Sequence, residues 1–295
     1  MKLGRLGEDR LLAELLPRLG RPRRVILPAG DDCAVLPSPG SKLLLLKTDC
    51  VVEGVHFTNK TPAKAIGWKA MMRPLSDFAA MSGLPQFALI TLMLPRRTNA
   101  KWVRDIYGGL GRAAAGFDVA IVGGETSSTT GPIAISVSVS GLVERNRWVS
   151  RGGGKAGDDL FVTGRLGGSI RGKHLLFVPR IKESRWLTEH FSIHAMMDLS
   201  DGLGADLPRL AAASKVGFVV ERERLPRTQG CGIKQAMADG EDYELLFAVP
   251  AGERDELWRR WRLEFPRLPL SRIGHLTRKS ATTHADLPRG YVHFK

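Results

Sequence analysis

The chain has 295 residues, 43% hydrophobic and 25% charged, which suits one large globular domain or two medium ones with a buried core. Its longest apolar runs, such as Leu43 to Leu46, fall far short of the ~20 residues of a membrane span, so a membrane partner is excluded. The net charge of +14 attracts phosphate-bearing partners, but the Lys and Arg residues are scattered and no aromatic-interleaved basic strand is visible, which argues against nucleic acid.

Near the N-terminus Lys2, Arg5, Glu8, Asp9 and Arg10 alternate with single leucines, unlike the apolar stretch of a secretory signal. Three cysteines, Cys33, Cys50 and Cys231, with no C-x-x-C pair, speak against a disulfide framework or a structural zinc site and for a reducing cytoplasm.

In chain order, apolar spacing predicts a helix over Arg10 to Leu19, and Pro22 and Pro28 break the chain before Asp31 and Asp32. Leu43 to Leu46 reads as a buried strand, Pro62 to Met72 as a helix leading into Ser76 and Asp77, and Phe87 to Leu94 as a strand. A helix over Lys101 to Ala115 follows, then a strand over Val119 to Val122, then Gly123-Gly124-Glu125. Ile133 to Leu142 alternates with the period of a strand. The glycines between Arg151 and Asp158 have the flexible composition of a domain boundary. Beyond them, Asp159 to Thr163, Phe218 to Val220 and Tyr243 to Val249 are strand candidates, and Glu253 to Phe265 is a helix candidate. Strands and helices mix in both halves, so the fold expected is α/β (α+β) with two domains, residues 1–147 and 148–295. Trp258 and Trp261 have the spacing of core residues on one helix face.

The informative residues are acids at glycine-rich junctions: Asp31 and Asp32, Asp49 after a strand, Asp77 after a helix, Glu125, Asp198 and Asp201, and Glu241 and Asp242. Any one of them could be a helix cap or an Asx turn. Together they read as loop carboxylates that repel one another unless divalent cations join them, and magnesium bridging phosphates is the usual case. No Walker A loop, dinucleotide fingerprint, protein-kinase motif set or H-E-x-x-H is present.

Several stretches are similar to one family's motifs. These are Gly7-Glu8, Gly30-Asp31-Asp32-Cys33-Ala34, Thr48-Asp49 with Glu53-Gly54-Val55-His56-Phe57, and Leu75-Ser76-Asp77-Phe78-Ala79-Ala80-Met81. Asp198-Leu199-Ser200-Asp201-Gly202-Leu203, Gly240-Glu241-Asp242-Tyr243-Glu244-Leu245 and Gly290-Tyr291 with His293-Phe294 complete the series. In this order and over nearly the whole length, the chain resembles the thiamine-monophosphate kinase family, whose superfamily also holds aminoimidazole ribonucleotide synthetase.

The resemblance implies ATP-dependent phosphorylation of thiamine monophosphate to thiamine diphosphate, assisted by several Mg2+ ions. It implies two α/β domains, the N-terminal ones pairing into a homodimer, with ATP and metals in the groove between domains. It implies Asp32, Thr48, Asp49, Asp77, Glu125, Asp198 and Asp201 as metal ligands; Tyr107, Gly124, Glu125, Arg151 and Ser200 as ATP contacts; and His56, Glu241 and Phe294 as thiamine monophosphate contacts. The substrate phosphate is deprotonated near neutral pH, so no general base is assigned. The chain departs from the pattern at Glu125 for Asp, Lys47 for a polar residue, and Pro74 for Asn; an ammonium at Lys47 replaces one magnesium or weakens its site. A sister phosphotransferase with another acceptor, or a non-catalytic nucleotide- or nucleic-acid-binding relative, are the competing readings.

Overall fold

A computed structural model describes residues 3–20, 24–279, 287–288 and 290–291; Phe294, assigned above to the substrate, lies outside them. The chain opens with α1 (Leu3–Leu6), α2 (Glu8–Leu15) and a 3-10 turn at Leu16–Leu19. Then come β1 (Ala34–Pro37), β2 (Lys42–Val52), α3 (Ala63–Ala80), β3 (Leu84–Leu94), α4 (Ala100–Ala115), β4 (Ala120–Ser128) and β5 (Ala134–Glu144). The five strands form a sheet ordered β1-β2-β5-β3-β4, antiparallel except where β3 meets β4.

The second half holds β6 (Asp158–Thr163), α5 (Ile181–His190), β7 (Ala195–Asp198), α6 (Leu203–Ala213), β8 (Gly217–Val220), α7 (Ile233–Ala238), β9 (Leu245–Pro250), α8 (Arg254–Glu264) and β10 (Leu270–Thr277). Its sheet, ordered β7-β9-β6-β10-β8, is antiparallel throughout. Mixed sheets and helices in both halves agree with the fold class read from the sequence.

Helix α3 joins the halves. It packs on β2 and β5 of the first sheet, on α4 and α5, and on β7 of the second sheet. Leu75 and Phe78 of α3 therefore share one continuous core with Phe161, Met196 and Phe247 of the second sheet. Glycines let α4 come close: a Cβ on Gly67 would lie 2.0 Å from the Ile106 carbonyl oxygen, and one on Gly109 2.1 Å from that of Lys64. The other face of the second sheet buries Leu160, Val162 and Ile273 against Leu207 and Leu210 of α6.

Three positions differ from the expectation. Asp49 sits within β2 and Glu125 within β4, not at loop junctions. Asp77 lies inside α3, because the helix continues through Pro74. Proline removes one backbone donor and normally ends a helix; here burial from Ile66 to Ala80 holds the last turns in place. The glycines after Arg151 also serve packing: a Cβ on Gly153 would lie 1.9 Å from the His194 carbonyl oxygen.

A candidate active site at the seam of the two halves

Helix α3 carries Lys69, Arg73, Ser76 and Asp77, positions i, i+4, i+7 and i+8, in one polar stripe on an otherwise apolar buried helix. This stripe faces Asp32, from the loop after Gly30, and Asp198, at the end of β7. One carboxylate oxygen from each of Asp32, Asp77 and Asp198 lies within 4.8 Å of the others, and all three residues are buried. Ser76 Oγ donates to Asp198 Oδ2 at 2.5 Å. The Arg151 guanidinium grips Asp32 through Nη2 and, at 3.3 Å, through Nε; its backbone N–H donates to Asp31 Oδ2 at 3.1 Å. Strand alternation sends Lys47 and Asp49 to the same side of β2. Lys47 Nζ donates to Asp77 Oδ1 at 2.9 Å, and Arg73 Nη2 lies 3.7 Å from Asp49 Oδ1.

Crowding of buried like charges governs the titration here. Burial and then the neighbouring Asp32 push Asp198 up to about 7. Burial likewise drives Asp77 well above the carboxylate range; Lys47 opposes this, and Asp49 and Asp198 add to it. Asp31 rises to about 6, from burial and then from Asp32. Asp49 moves the other way, because Lys47 and Arg73 outweigh its burial. A group of hard oxygen donors that holds its charge this reluctantly is the donor set that fits Mg2+. The thiol of Cys33 is pushed up by burial and by Asp77, which suits a packed side chain and not a nucleophile.

Beside this group opens a pocket of about 580 Å³ lined by His56, Arg73, Ser200, Asp201, Glu241 and Tyr243, among others. That size suits a small-molecule ligand. His56 Nδ1 accepts the backbone N–H of Val52 at 3.0 Å, so the neutral ring carries its proton on Nε2. Glu241 Oε1 lies 2.6 Å from Lys69 Nζ, and Glu241 Oε2 lies 2.9 Å from His174 Nδ1. Lys69 also reaches the His56 carbonyl oxygen at 2.8 Å. Burial opposes the charge on Glu241, but His174 and Lys69 hold it down to about 2; burial brings Lys69 down to about 8 against the pull of Glu241. Both members of the pair are charged at neutral pH.

The two C-terminal motifs clasp each other. Glu241 N donates to the Ser200 carbonyl at 2.7 Å, Tyr243 N to that of Leu199 at 2.8 Å, and Leu199 N to that of Glu244 at 2.9 Å. Glu241 and Tyr243 hold φ of 62° and 52°, a left-handed backbone uncommon outside glycine and often found at functional sites. Asp201 faces the pocket and is held by Arg209 Nη1 at 2.5 Å, so it stands outside the group of three carboxylates.

Four expected residues are not brought to the seam within one chain. Thr48 projects from the open face of the first sheet, its hydroxyl 3.0 Å from Ser138 Oγ and 3.3 Å from Ser136 Oγ. Glu125 pairs in register with Thr91 on that same exposed face and accepts from Ser127 Oγ at 3.2 Å. Gly124 serves close strand pairing: a Cβ there would lie 1.8 Å from the Ile90 carbonyl oxygen. Tyr107 stands on α4 and is 41% exposed. Conversely, Lys69, Arg73 and His174 were not singled out from the sequence, and Ser76 was named there without a role.

The family model described as AIR synthase related protein, N-terminal domain, matches residues 30–143, and that for the C-terminal domain matches residues 136–285. The thiamine-monophosphate kinase of Rhodopirellula baltica is 36% identical over 313 aligned residues, covering 97% of each chain. The chain belongs to the thiamine-monophosphate kinase family. The Aquifex aeolicus member is 34% identical over the whole of both chains. The solved structure of AaThiL complexed with AMPPCP and TMP superposes with a TM-score of 0.86 at 33% identity, covering 99% of each chain. The family member from Stenotrophomonas maltophilia K279a gives a TM-score of 0.75 at 32% identity, covering 92% of this chain and 94% of that one. The hydrogenase maturation protein HypE, at 19% identity and a TM-score of 0.68, shares the fold.

Proposed function

We propose that this chain transfers the γ-phosphoryl group of ATP to the phosphate of thiamine monophosphate, releasing ADP and thiamine diphosphate. One observation carries the reading: helix α3 and the segment Asp198–Asp201 supply Asp77 and Asp198 to the carboxylate group and also Arg73, Ser200 and Asp201 to the wall of a pocket of about 580 Å³ that presents His56 and Glu241. The family relatives named thiamine-monophosphate kinase support it.

Asp32, Asp49, Asp77 and Asp198 are the residues we assign to magnesium, with Asp201 at the pocket rim as a further ligand. Magnesium held there supplies the positive charge that screens two phosphate groups from each other and stabilises the transferring group. The chain itself does the positioning. Arg151, fixed by Asp31 and Asp32, stands at the cluster where ATP phosphates need a guanidinium. Ser200, on the loop clasped by Glu241, borders the same space. His56 offers its Nε2 proton to an anionic acceptor, while Glu241, kept ionised, faces the positive thiazolium. The acceptor phosphate arrives deprotonated, so no side chain has to take its proton.

Pairing of two copies is part of the proposal. The face of the first sheet turned away from α3 exposes Leu46, Phe87, Leu89 and Val122, between 40% and 58% accessible. An apolar patch of this kind marks a covered surface. Thr48 and Glu125 lie on that face, so a metal role for either one requires the partner copy. Phe87→Glu should convert a dimer to monomers by light scattering; a variant that stays a dimer would show that this face is not the interface, and a monomeric wild type would remove the pairing.

Purified protein with ATP, Mg2+ and a panel of phosphorylated and unphosphorylated acceptors should make thiamine diphosphate, resolved by chromatography, from thiamine monophosphate alone. ADP release with a different acceptor, and none with thiamine monophosphate, would overturn the assignment.

A further inference from the structure

Strand β2 sends Leu43, Leu45, Lys47, Asp49 and Val51 to its helix side, and Leu43, Leu45 and Val51 are core residues there. Alternation alone thus drives a lysine among carboxylates. Its Nζ donates to Asp77 Oδ1 at 2.9 Å, and only 22% of its side chain is exposed. Asp77 is a member of the group of three, so the ammonium bonds directly to an oxygen set otherwise suited to a metal ion.

This is not a pair that closes on itself. Asp77 keeps Asp32 and Asp198 as neighbours. An ammonium shares with a magnesium ion the preference for anionic oxygen, but it carries half the charge, cannot exchange, and repels a divalent ion placed beside it. It also occupies Oδ1 of Asp77.

We propose that the Lys47 ammonium is a tethered cation standing in for one divalent ion at the carboxylate group, so that this chain loads one fewer metal ion than it would with serine at position 47. The inference rests on the reading of this group as the metal site. It predicts that the serine variant opens space, removes a positive charge and supplies a neutral oxygen ligand, all of which favour an extra cation.

The test counts metal and does not depend on turnover. Mn2+ binding to wild type, Lys47→Ser and Lys47→Gln is measured by equilibrium dialysis in the presence of saturating AMPPCP, whose own Mn2+ is common to all three. Lys47→Ser should bind one more Mn2+ per chain than wild type. Its melting temperature in EDTA should fall below that of wild type and recover when Mn2+ is added. If Lys47→Ser fails to fold, Lys47→Gln provides the comparison, with either an additional Mn2+ or a tighter last one expected. Equal stoichiometry and affinity in wild type and the folded variants would overturn the proposal, as would fewer ions in the variants. No Mn2+ beyond the nucleotide's own in any of the proteins would remove the metal reading itself and the proposal with it.

Discussion

Two groups of buried carboxylates in this chain have opposite surroundings. Glu244 is met from every side: Arg180 donates through Nε at 2.7 Å and Nη2 at 2.9 Å, Lys173 Nζ at 2.9 Å, and Thr163 Oγ1 at 2.9 Å. Gly164, at φ +64°, gives it room, since a Cβ there would lie 2.2 Å from Glu244 Oε1. Asp32, Asp77 and Asp198 instead face one another, with cations only at the edges of the group, and the latter two hold their protons well into the range where free carboxylates have lost them. A satisfied carboxylate holds the fold together; an unsatisfied group is held by the fold and waits for charge from outside.

Four changes break or sharpen that contrast. Asp198→Asn keeps an acceptor for Ser76 and removes a repelled charge. Turnover should fall by roughly 10²- to 10³-fold, as when one electrostatic contact to the transition state is lost. The metal-free melting temperature should hold or rise. A parallel loss of both in activity assays and calorimetry would place Asp198 with Glu244 as a structural residue.

Glu244→Gln should behave in the reverse way. It removes the carboxylate to which Arg180 and Lys173 hydrogen-bond and leaves them Glu183 and Asp242, each at 3.7 Å. It should cost about 3 kcal/mol, the low end for breaking a buried pair, because Lys173 also keeps about a third of its side chain in solvent. Denaturant unfolding reads the cost, and kcat per folded molecule should be retained.

Glu241 lies between the two types, since it is paired yet lines the pocket. Glu241→Gln should raise KM for thiamine monophosphate about 10-fold, the worth of one charge-assisted contact, with a smaller effect on kcat. A fall in kcat with KM unchanged would move Glu241 from substrate binding to the chemistry.

Asp242 gives the smallest effect. Its Oδ1 is buried with no hydrogen-bond partner among the described residues, 3.7 Å from Lys173 Nζ, and burial raises its pKa to about 7. The folded chain therefore binds this proton more tightly than the unfolded one. Its stabilising contribution is complete below the ordinary carboxylate pKa and is lost as pH rises toward 7. Asp242→Asn should flatten that decline between about pH 4 and 7 by a few degrees in Tm, at about 2–4 °C per kcal/mol. An unchanged slope would show that Asp242 ionises freely in the folded chain.

The sequence was legible where glycine and aspartate mark backbone turns. Asp32 lies two residues after Gly30, and Asp198 opens the stretch that ends at Gly202; both reach the seam. It was less legible where residues act through elements that look ordinary. Lys69, Arg73 and Ser76 lie on a helix whose composition reads as core, and Pro74 hides the turn that carries Asp77 inward. Strand β7, Ala195–Asp198, is buried at every position and so shows no alternation, while β10 is broken by an irregularity between Arg272 and Gly274. Thr48 and Asp49 are adjacent in the chain, but strand alternation puts them on opposite faces of the sheet, which a motif read as a string does not reveal. The Asp-Tyr-Glu part of a motif that reads as functional contributes Glu244 to packing and Glu241, just before it, to the pocket.

The central claim is that the carboxylates at the seam require divalent cations to bring two phosphates together. Phosphorus NMR of the protein with ATP and thiamine monophosphate measures this directly. The γ-phosphoryl of ATP should appear as the terminal phosphate of thiamine diphosphate when Mg2+ is present, and transfer should stop after exhaustive chelation and resume on adding Mg2+ back. Transfer at an undiminished rate in the chelated sample would contradict the account.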